Sequence, residues 1–199
     1  MTGGCLEKVK GDFFPLLNIP GFPAGRPQVL VADGANTFDP YVISKFARKE
    51  GFAPEVLLKK IAVARAFTCH QLATLIQERL DPVISDSAST LVILLGPCTL
   101  FFDEDVPGEE AALLFRKILA KVEEMSRRGV FFLMSQSFSR GNKGRNFLLR
   151  ELVGFADAVL KLRSSAEALQ VVLDKPPLVL KKPWAVFEQF KNLDHLQIR

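Results

Sequence analysis

The 199-residue sequence predicts an α/β protein: a mostly parallel, twisted sheet flanked by helices, with antiparallel strands at its C-terminal edge. Three observations predict it. Short apolar runs at residues 29–32, 61–67, 90–95 and 130–135 have the length and β-branched content of buried strands. The stretches between them carry apolar residues at helical spacing, so strand and helix alternate as in a parallel sheet with crossover helices. Two strand-like segments near the C-terminus, 158–162 and 169–173, follow one another with no helical pattern between them, which predicts antiparallel pairing.

The elements follow in order. Residues 1–28 are rich in Gly and Pro; 6–10 read as a short helix, 12–17 as a short strand, and 18–27 as irregular chain. After the strand at 29–32, Pro40 suits the first turn of a helix with Asp39 at its N-cap. Tyr41, Val42, Phe46 and Ala47 recur at helical spacing and Gly51 stops them, with a short turn or helix at 55–60. Thr68 caps a helix that runs to Leu80, with Leu72, Leu75 and Ile76 on one face. The strand at 90–95 leads into a loop over 96–108. The longest helix, 109–128, carries Ala112, Phe115, Ile118, Leu119 and Val122 as its apolar stripe and ends at Arg127-Arg128-Gly129. A basic, Gly-containing loop over 137–145 follows the strand at 130–135, and a short helix is expected near 148–153. Pro176-Pro177 breaks the chain, and 178–181 and 184–187 continue at a sheet edge. This reads as a single domain overall: an irregular segment at 1–28 and a core at 29–199.

Composition sets bounds. A hydrophobic content of 48% fills a real core, and no apolar run reaches the roughly 20 residues of a membrane helix. The N-terminus lacks the layout of a secretory signal. Cys5, Cys69 and Cys98 are widely spaced, without a C-x-x-C pair, and read as small buried thiols of a reducing cytoplasm. A net charge of +4 permits nucleic-acid contact without establishing it. His70 and His195 stand apart from any ligand cluster, so no metal is expected. Ser135 and Ser137 lie in no G-x-S-x-G elbow.

The most informative stretch is Asp33-Gly34-Ala35-Asn36-Thr37-Phe38-Asp39-Pro40. At strand-plus-helix distance it is followed by Ala64-Arg65-Ala66-Phe67 and then His70-Gln71. Together they resemble the RecA/RadA strand-exchange recombinases, whose archaeal and eukaryotic members carry D-T-E-G-T-F-R-P, A-R-A-F and H-Q. The resemblance covers roughly residues 29–187. It continues in Met134-Ser135-Gln136, similar to the family's T-N-Q, and in Asp174-Lys175-Pro176, similar to D-S-P. It implies a RecA-like core, and it makes the departures meaningful. The family's catalytic Glu falls on Ala35, and the Asp ending its magnesium-associated strand falls on Leu95. No G-x-x-x-x-G-K-[ST] phosphate loop occurs; Gly21 to Arg26 is too short, is followed by Pro27, and has Arg where Lys belongs. The resemblance also implies about 30 residues of strand and helix ahead of the Thr-Phe-x-Pro segment, for which this chain has no room.

These losses lead to the expectation of a degenerate family member, a pseudo-ATPase without cofactor, since a methyl group orients no water and leucine holds no magnesium. By the resemblance, Gln136 lies where the family links nucleotide to its second DNA-binding loop, and the basic segment occupies that loop's place. Arg140, Lys143, Arg145 and Arg150 are the candidate contacts to single-stranded DNA, against the plain reading of a solvated surface loop. Phe138 and Phe147 flank the loop as stacking candidates, with core packing the plainer reading. The acidic run Asp103-Glu104-Asp105 lies where the first DNA-binding loop falls and argues against contact there. The pairs Phe13-Phe14 and Phe101-Phe102 read as core, with a sticky contact as the alternative. The functional expectation is an accessory or scaffold in DNA recombination or repair. Its expected partners are single-stranded DNA, a recombinase or other protein, or further copies of the chain, and no membrane. A protein-interaction module on the same fold, binding neither nucleotide nor DNA, stands as the alternative. A nucleotide binder with a rebuilt pocket is the third reading.

Overall fold

The computed structural model of the protein describes residues 28–87, 91–137, 143–164 and 169–175. The chain divides into two compact units, Met1–Leu152 and Val153–Arg199.

The first unit is built on a four-stranded parallel sheet. Strand β1 (Val29–Asp33) leads through helices α1 (Pro40–Lys49) and α2 (Pro54–Leu58) to β2 (Ile61–Arg65). Helix α3 (Cys69–Thr74), a π-helical segment (Leu75–Arg79) and α4 (Leu80–Ser87) then lead to β3 (Leu91–Leu95). A 3-10 turn (Thr99–Phe102) and the long α5 (Gly108–Arg127) precede β4 (Phe131–Ser135). The strand order is β2-β1-β3-β4. The chain steps outward from β1 to β2 and then back past β1 to β3. Right-handed crossovers therefore put α1–α2 on one face and α3–α5 on the other.

Register explains the burial. Leu30, Ala62 and Val92 form one row across the sheet and Ala32, Ala64 and Leu94 another; all six are buried. Their helical cover is supplied by Leu72, Leu75, Ile76, Phe115, Ile118 and Val122, also buried, where α3 and the π-helical segment pack on α5. β1 is buried at Leu30, Val31 and Ala32 alike, as its unbroken apolar run predicts. On β4, Phe131 and Leu133 are exposed, so this strand is more open than its wholly apolar sequence predicts.

The helix signals hold. Asp39 caps α1 by accepting from the Tyr41 N–H at 2.8 Å. Thr68 caps α3 by accepting from the Gln71 N–H at 3.1 Å. Gly129 ends α5 at φ +93°, a left-handed conformation that glycine adopts without strain. The helix expected to stop at Leu80 runs on to Ser87 through Pro82. The π-helical segment makes this feasible. Pro82 has no N–H to give and its ring crowds the carbonyl four residues earlier, at Glu78. The wider turn there, closed by Leu80 N–H to the Leu75 carbonyl, absorbs the mismatch. In the loop over 96–108, the reading of Phe101 as core holds. Phe101 is fully buried and packs edge-on to Phe115 at a centroid distance of 5.4 Å, which places it in the core.

Helix α6 (Asn146–Phe155) begins in the first unit, directly after a 3-10 turn (Lys143–Arg145). In the second unit, β5 (Val159–Ser164) and β6 (Leu169–Lys175) pair antiparallel as a two-stranded sheet, with a register shift after Val159. The elements expected at 6–10, 12–17, 178–181 and 184–187 lie outside the described residues.

Candidate functional site

The C-terminal ends of β1, β3 and β4 converge, the place where parallel α/β sheets present their functional loops. The arrangement starts from Asp33, a carboxylate with no solvent exposure. A buried charge must be fully hydrogen-bonded, and this one is. Its Oδ1 accepts the Ala35 N–H at 3.2 Å and the Thr37 N–H at 3.1 Å, and its Oδ2 accepts the Phe38 N–H at 2.9 Å. Arg65 adds an ion pair, Nε to Oδ2 at 3.5 Å, and its Nη2 donates to the Phe38 carbonyl at 2.9 Å. The loop thus wraps around one side chain. Asn36 takes φ +54° at its apex, where the resembling family has Gly; Asn is among the few residues that accept this conformation.

The neighbouring loop closes against it. Gly34 N–H donates to the Leu95 carbonyl at 2.8 Å, and Gly96 N–H to the Ser135 carbonyl at 2.8 Å. Gly96 sits at φ +63°, and a Cβ there would lie 2.5 Å from both the Ala35 Cβ and the Thr99 Oγ1. Only glycine fits, and the methyl of Ala35 is packed directly over it. Gln136 completes the mouth. Its Oε1 accepts the Cys98 N–H at 2.8 Å, and its Nε2 donates to the Ser137 carbonyl at 3.0 Å and the Thr99 hydroxyl at 3.4 Å.

Ala35, Leu95 and Gln136 thus lie on the adjoining loops at the ends of β1, β3 and β4. Their side chains are a methyl, a half-buried isobutyl group and an amide already engaged. Within 33–38, 95–99 and 135–137 the one carboxylate is Asp33, and its lone pairs are spent on the loop. Cys98, beside Gln136, is fully buried, and burial pushes its thiol up to about 12, so it stays protonated and inert at neutral pH. Burial also raises the Cys69 thiol. No cluster of three His, Cys, Asp or Glu side chains suited to a metal occurs among the described residues.

The basic candidates separate. Arg145 turns inward: its Nη1 donates to the Phe101 carbonyl at 2.6 Å and its Nη2 to the Val106 carbonyl. It ties the segment after β4 to the loop that carries Asp103, Glu104 and Asp105. Arg150 is exposed on α6. Lys143 lies in the 3-10 turn, and Phe147 is half-buried one turn on. Arg140 and Phe138 lie outside the described residues. The roles of Arg65 and Arg145 as loop anchors were not legible in advance. Arg65 stood inside the A-R-A-F motif, but nothing local says which carbonyl a guanidinium will reach.

A parallel sheet with helices on both faces, and loops from three strand ends meeting at one mouth, defines a RecA-like α/β protein. The Rad51 family model matches residues 21–126, more than half of the chain, and the chain belongs to that family of RecA/RadA-type recombinases. No curated protein matches it. No helix among the described residues is long and apolar enough to cross a membrane.

Proposed function

We propose that this chain is a non-catalytic RecA-like protein, an accessory or scaffold in DNA recombination or repair in the cytoplasm, that contacts single-stranded DNA through residues 137–150. One observation carries the loss of catalysis. The Ala35 methyl is packed over Gly96 at the position of the family's catalytic carboxylate, and the nearby carboxylate, Asp33, is consumed by three backbone N–H groups. Among the described residues of this mouth, no free carboxylate is left to polarise an attacking water, which supports the reading.

A second reading, a protein-interaction module that binds neither nucleotide nor DNA, is favoured by Arg145. Its guanidinium is occupied by two carbonyls rather than offered to solvent. Titration of a fluorescent oligo-dT strand at several salt concentrations separates the two. The first reading expects binding that weakens steeply with salt, and an Arg150→Ala variant whose log K–log salt slope is shallower by about 0.7. Arg145→Ala is expected to weaken binding through the displaced loop. Absence of binding at low salt discards the DNA role and leaves the interaction module.

A further inference from the structure

Strand β4 is open at its edge and on one face. It ends the order β2-β1-β3-β4, and among the described residues no strand pairs with its outer side. The Ser135 carbonyl accepts the Gly96 N–H at 2.8 Å, on the β3 side. Successive strand residues point their backbone groups to opposite sides, so Phe132 and Met134 direct theirs to the open edge. The face turned away from α3–α5 is uncovered as well. Along its row Val31 is buried, Val63 and Ile93 are half-buried, and Leu133 is 58% exposed. Phe131, one row earlier, is 72% exposed. Among the residues of α1 and α2 only Ala47 is fully buried, so the cover those helices give stops short of β4. An apolar strand face beside an unpaired edge is a template for one more strand.

The sequence supplies a segment for that place. Residues 1–27 precede the described chain, and within them 12–17, Asp-Phe-Phe-Pro-Leu-Leu, is the apolar stretch that reads as a strand. The described chain starts at Gln28, whose N–H donates to the Lys60 carbonyl at 2.8 Å just ahead of β1. The slot beyond β4 is three strand spacings from β1, about 14 Å. Residues 18–27, fully extended, span about 33 Å and reach it. A parallel strand there needs a crossover of about a dozen residues or more, whereas an antiparallel one ends on the side of the sheet where β1 begins. Pro15 fixes the pairing side. Lacking an N–H, it belongs on the outer edge, where it also offers no donor to a further strand.

We propose that residues 12–17 dock on the outer edge of β4 of the same chain as an antiparallel strand and close the sheet on that side. Phe14 and Leu16 then exchange backbone hydrogen bonds with Phe132 and Met134. Phe13 and Leu17 lie on the face of Phe131 and Leu133 and cover their apolar surface. The inference does not rest on the DNA-binding reading, because no basic residue takes part in it.

Amide hydrogen exchange of the full chain, followed residue by residue by NMR, tests it. The Phe132 and Met134 amides are expected to exchange about 100-fold or more slowly than open chain, and equally so at about 20 and about 200 µM. Phe14→Pro removes a pairing N–H and is expected to speed both amides about 10-fold or more, while those of Leu30 to Ala32 stay slow and show that the sheet remains folded. Pro15→Ala is expected to leave both slow. Phe13→Asp/Leu17→Asp, which removes apolar contact and keeps every pairing N–H, is expected to speed them as Phe14→Pro does. Fast exchange at Phe132 and Met134 in the unaltered chain overturns the proposal. So does slow exchange that survives both Phe14→Pro and Phe13→Asp/Leu17→Asp, or acceleration by Pro15→Ala equal to that by Phe14→Pro. Protection that fades on dilution also overturns it and assigns the edge to a second copy.

Discussion

At the scale of single residues, Asp33 and Gly96 carry the local architecture for opposite reasons. Asp33 is held by what it accepts: three N–H groups and the Arg65 ion pair. An amide in its place offers one acceptor oxygen and turns an NH2 toward backbone donors. Asp33→Asn is therefore expected to lower unfolding stability by about 2–3 kcal/mol, measured by urea denaturation. An unchanged midpoint would show that the loop holds itself. Gly96 is required by what it lacks. Gly96→Ala places a methyl 2.5 Å from Ala35 Cβ and Thr99 Oγ1 in a left-handed conformation. Clash and backbone strain together predict a loss of about 2–4 kcal/mol. Trimming the neighbour at Thr99→Gly as well is expected to recover part of it, and no recovery would locate the cost in the backbone alone.

At the scale of elements, α4 and α5 are joined by charge. Asp81, in the first turn of α4, accepts from Arg128 Nη2 at 2.6 Å and from Lys121 Nζ at 3.0 Å. The Arg128 hydrogen bond, and after it Lys121, holds the Asp81 carboxyl below its usual value despite partial desolvation. The folded-state value is lower than the unfolded one, so the stabilisation is complete above the ordinary carboxylate range near 4 and disappears as pH falls through the folded value. Asp81→Asn is expected to cost about 1 kcal/mol at pH 7 and to flatten the acid limb of the stability–pH curve below about pH 4. Urea midpoints between neutral and acid pH check it, and parallel curves for the two proteins would remove Asp81 from the account. Legibility divides along similar lines. Strands, caps and the end of α5 could be read because each is set by nearest neighbours in sequence: Thr68 three residues before Gln71, Gly129 just past Arg128. The continuation of α4 through Pro82 could not, because a proline normally ends a helix and the π-helical remedy leaves no local mark. The wrap of the loop around Asp33, the Ala35–Gly96 contact and the inward turn of Arg145 were invisible for the same reason. The Arg65 anchor on that loop, the Ala35–Gly96 contact and the turn of Arg145 each depend on a partner 27 to 61 residues away. The N–H groups that Asp33 accepts are two to five residues away and needed only the conformation of the loop, which no residue type there dictates. The motif positions were legible; what their side chains touch was not.

At the scale of the whole molecule, the question is whether a member of a recombinase family still couples its fold to a nucleotide. A RecA-like protein that binds ATP acquires stability from it by mass action. A ligand at 100 times its dissociation constant adds about 2.7 kcal/mol, and in a chain of this size that raises the thermal midpoint by roughly 5–10 °C. The mouth formed by β1, β3 and β4 is already braced without one: Asp33 holds its own loop, Gly34 N–H holds Leu95, Gly96 N–H holds Ser135, and Gln136 holds Cys98. Backbone donors already engaged within the protein, those of Gly34, Ala35, Thr37, Phe38, Gly96 and Cys98, are not offered to a triphosphate. Differential scanning fluorimetry with millimolar ATP and magnesium is therefore expected to give a midpoint unchanged within about 1 °C, against the several degrees a bound nucleotide would produce. A shift of that larger size, abolished by omitting magnesium, would mean that the mouth opens to admit ligand, and the reading of this chain as a pseudo-ATPase would fall with it.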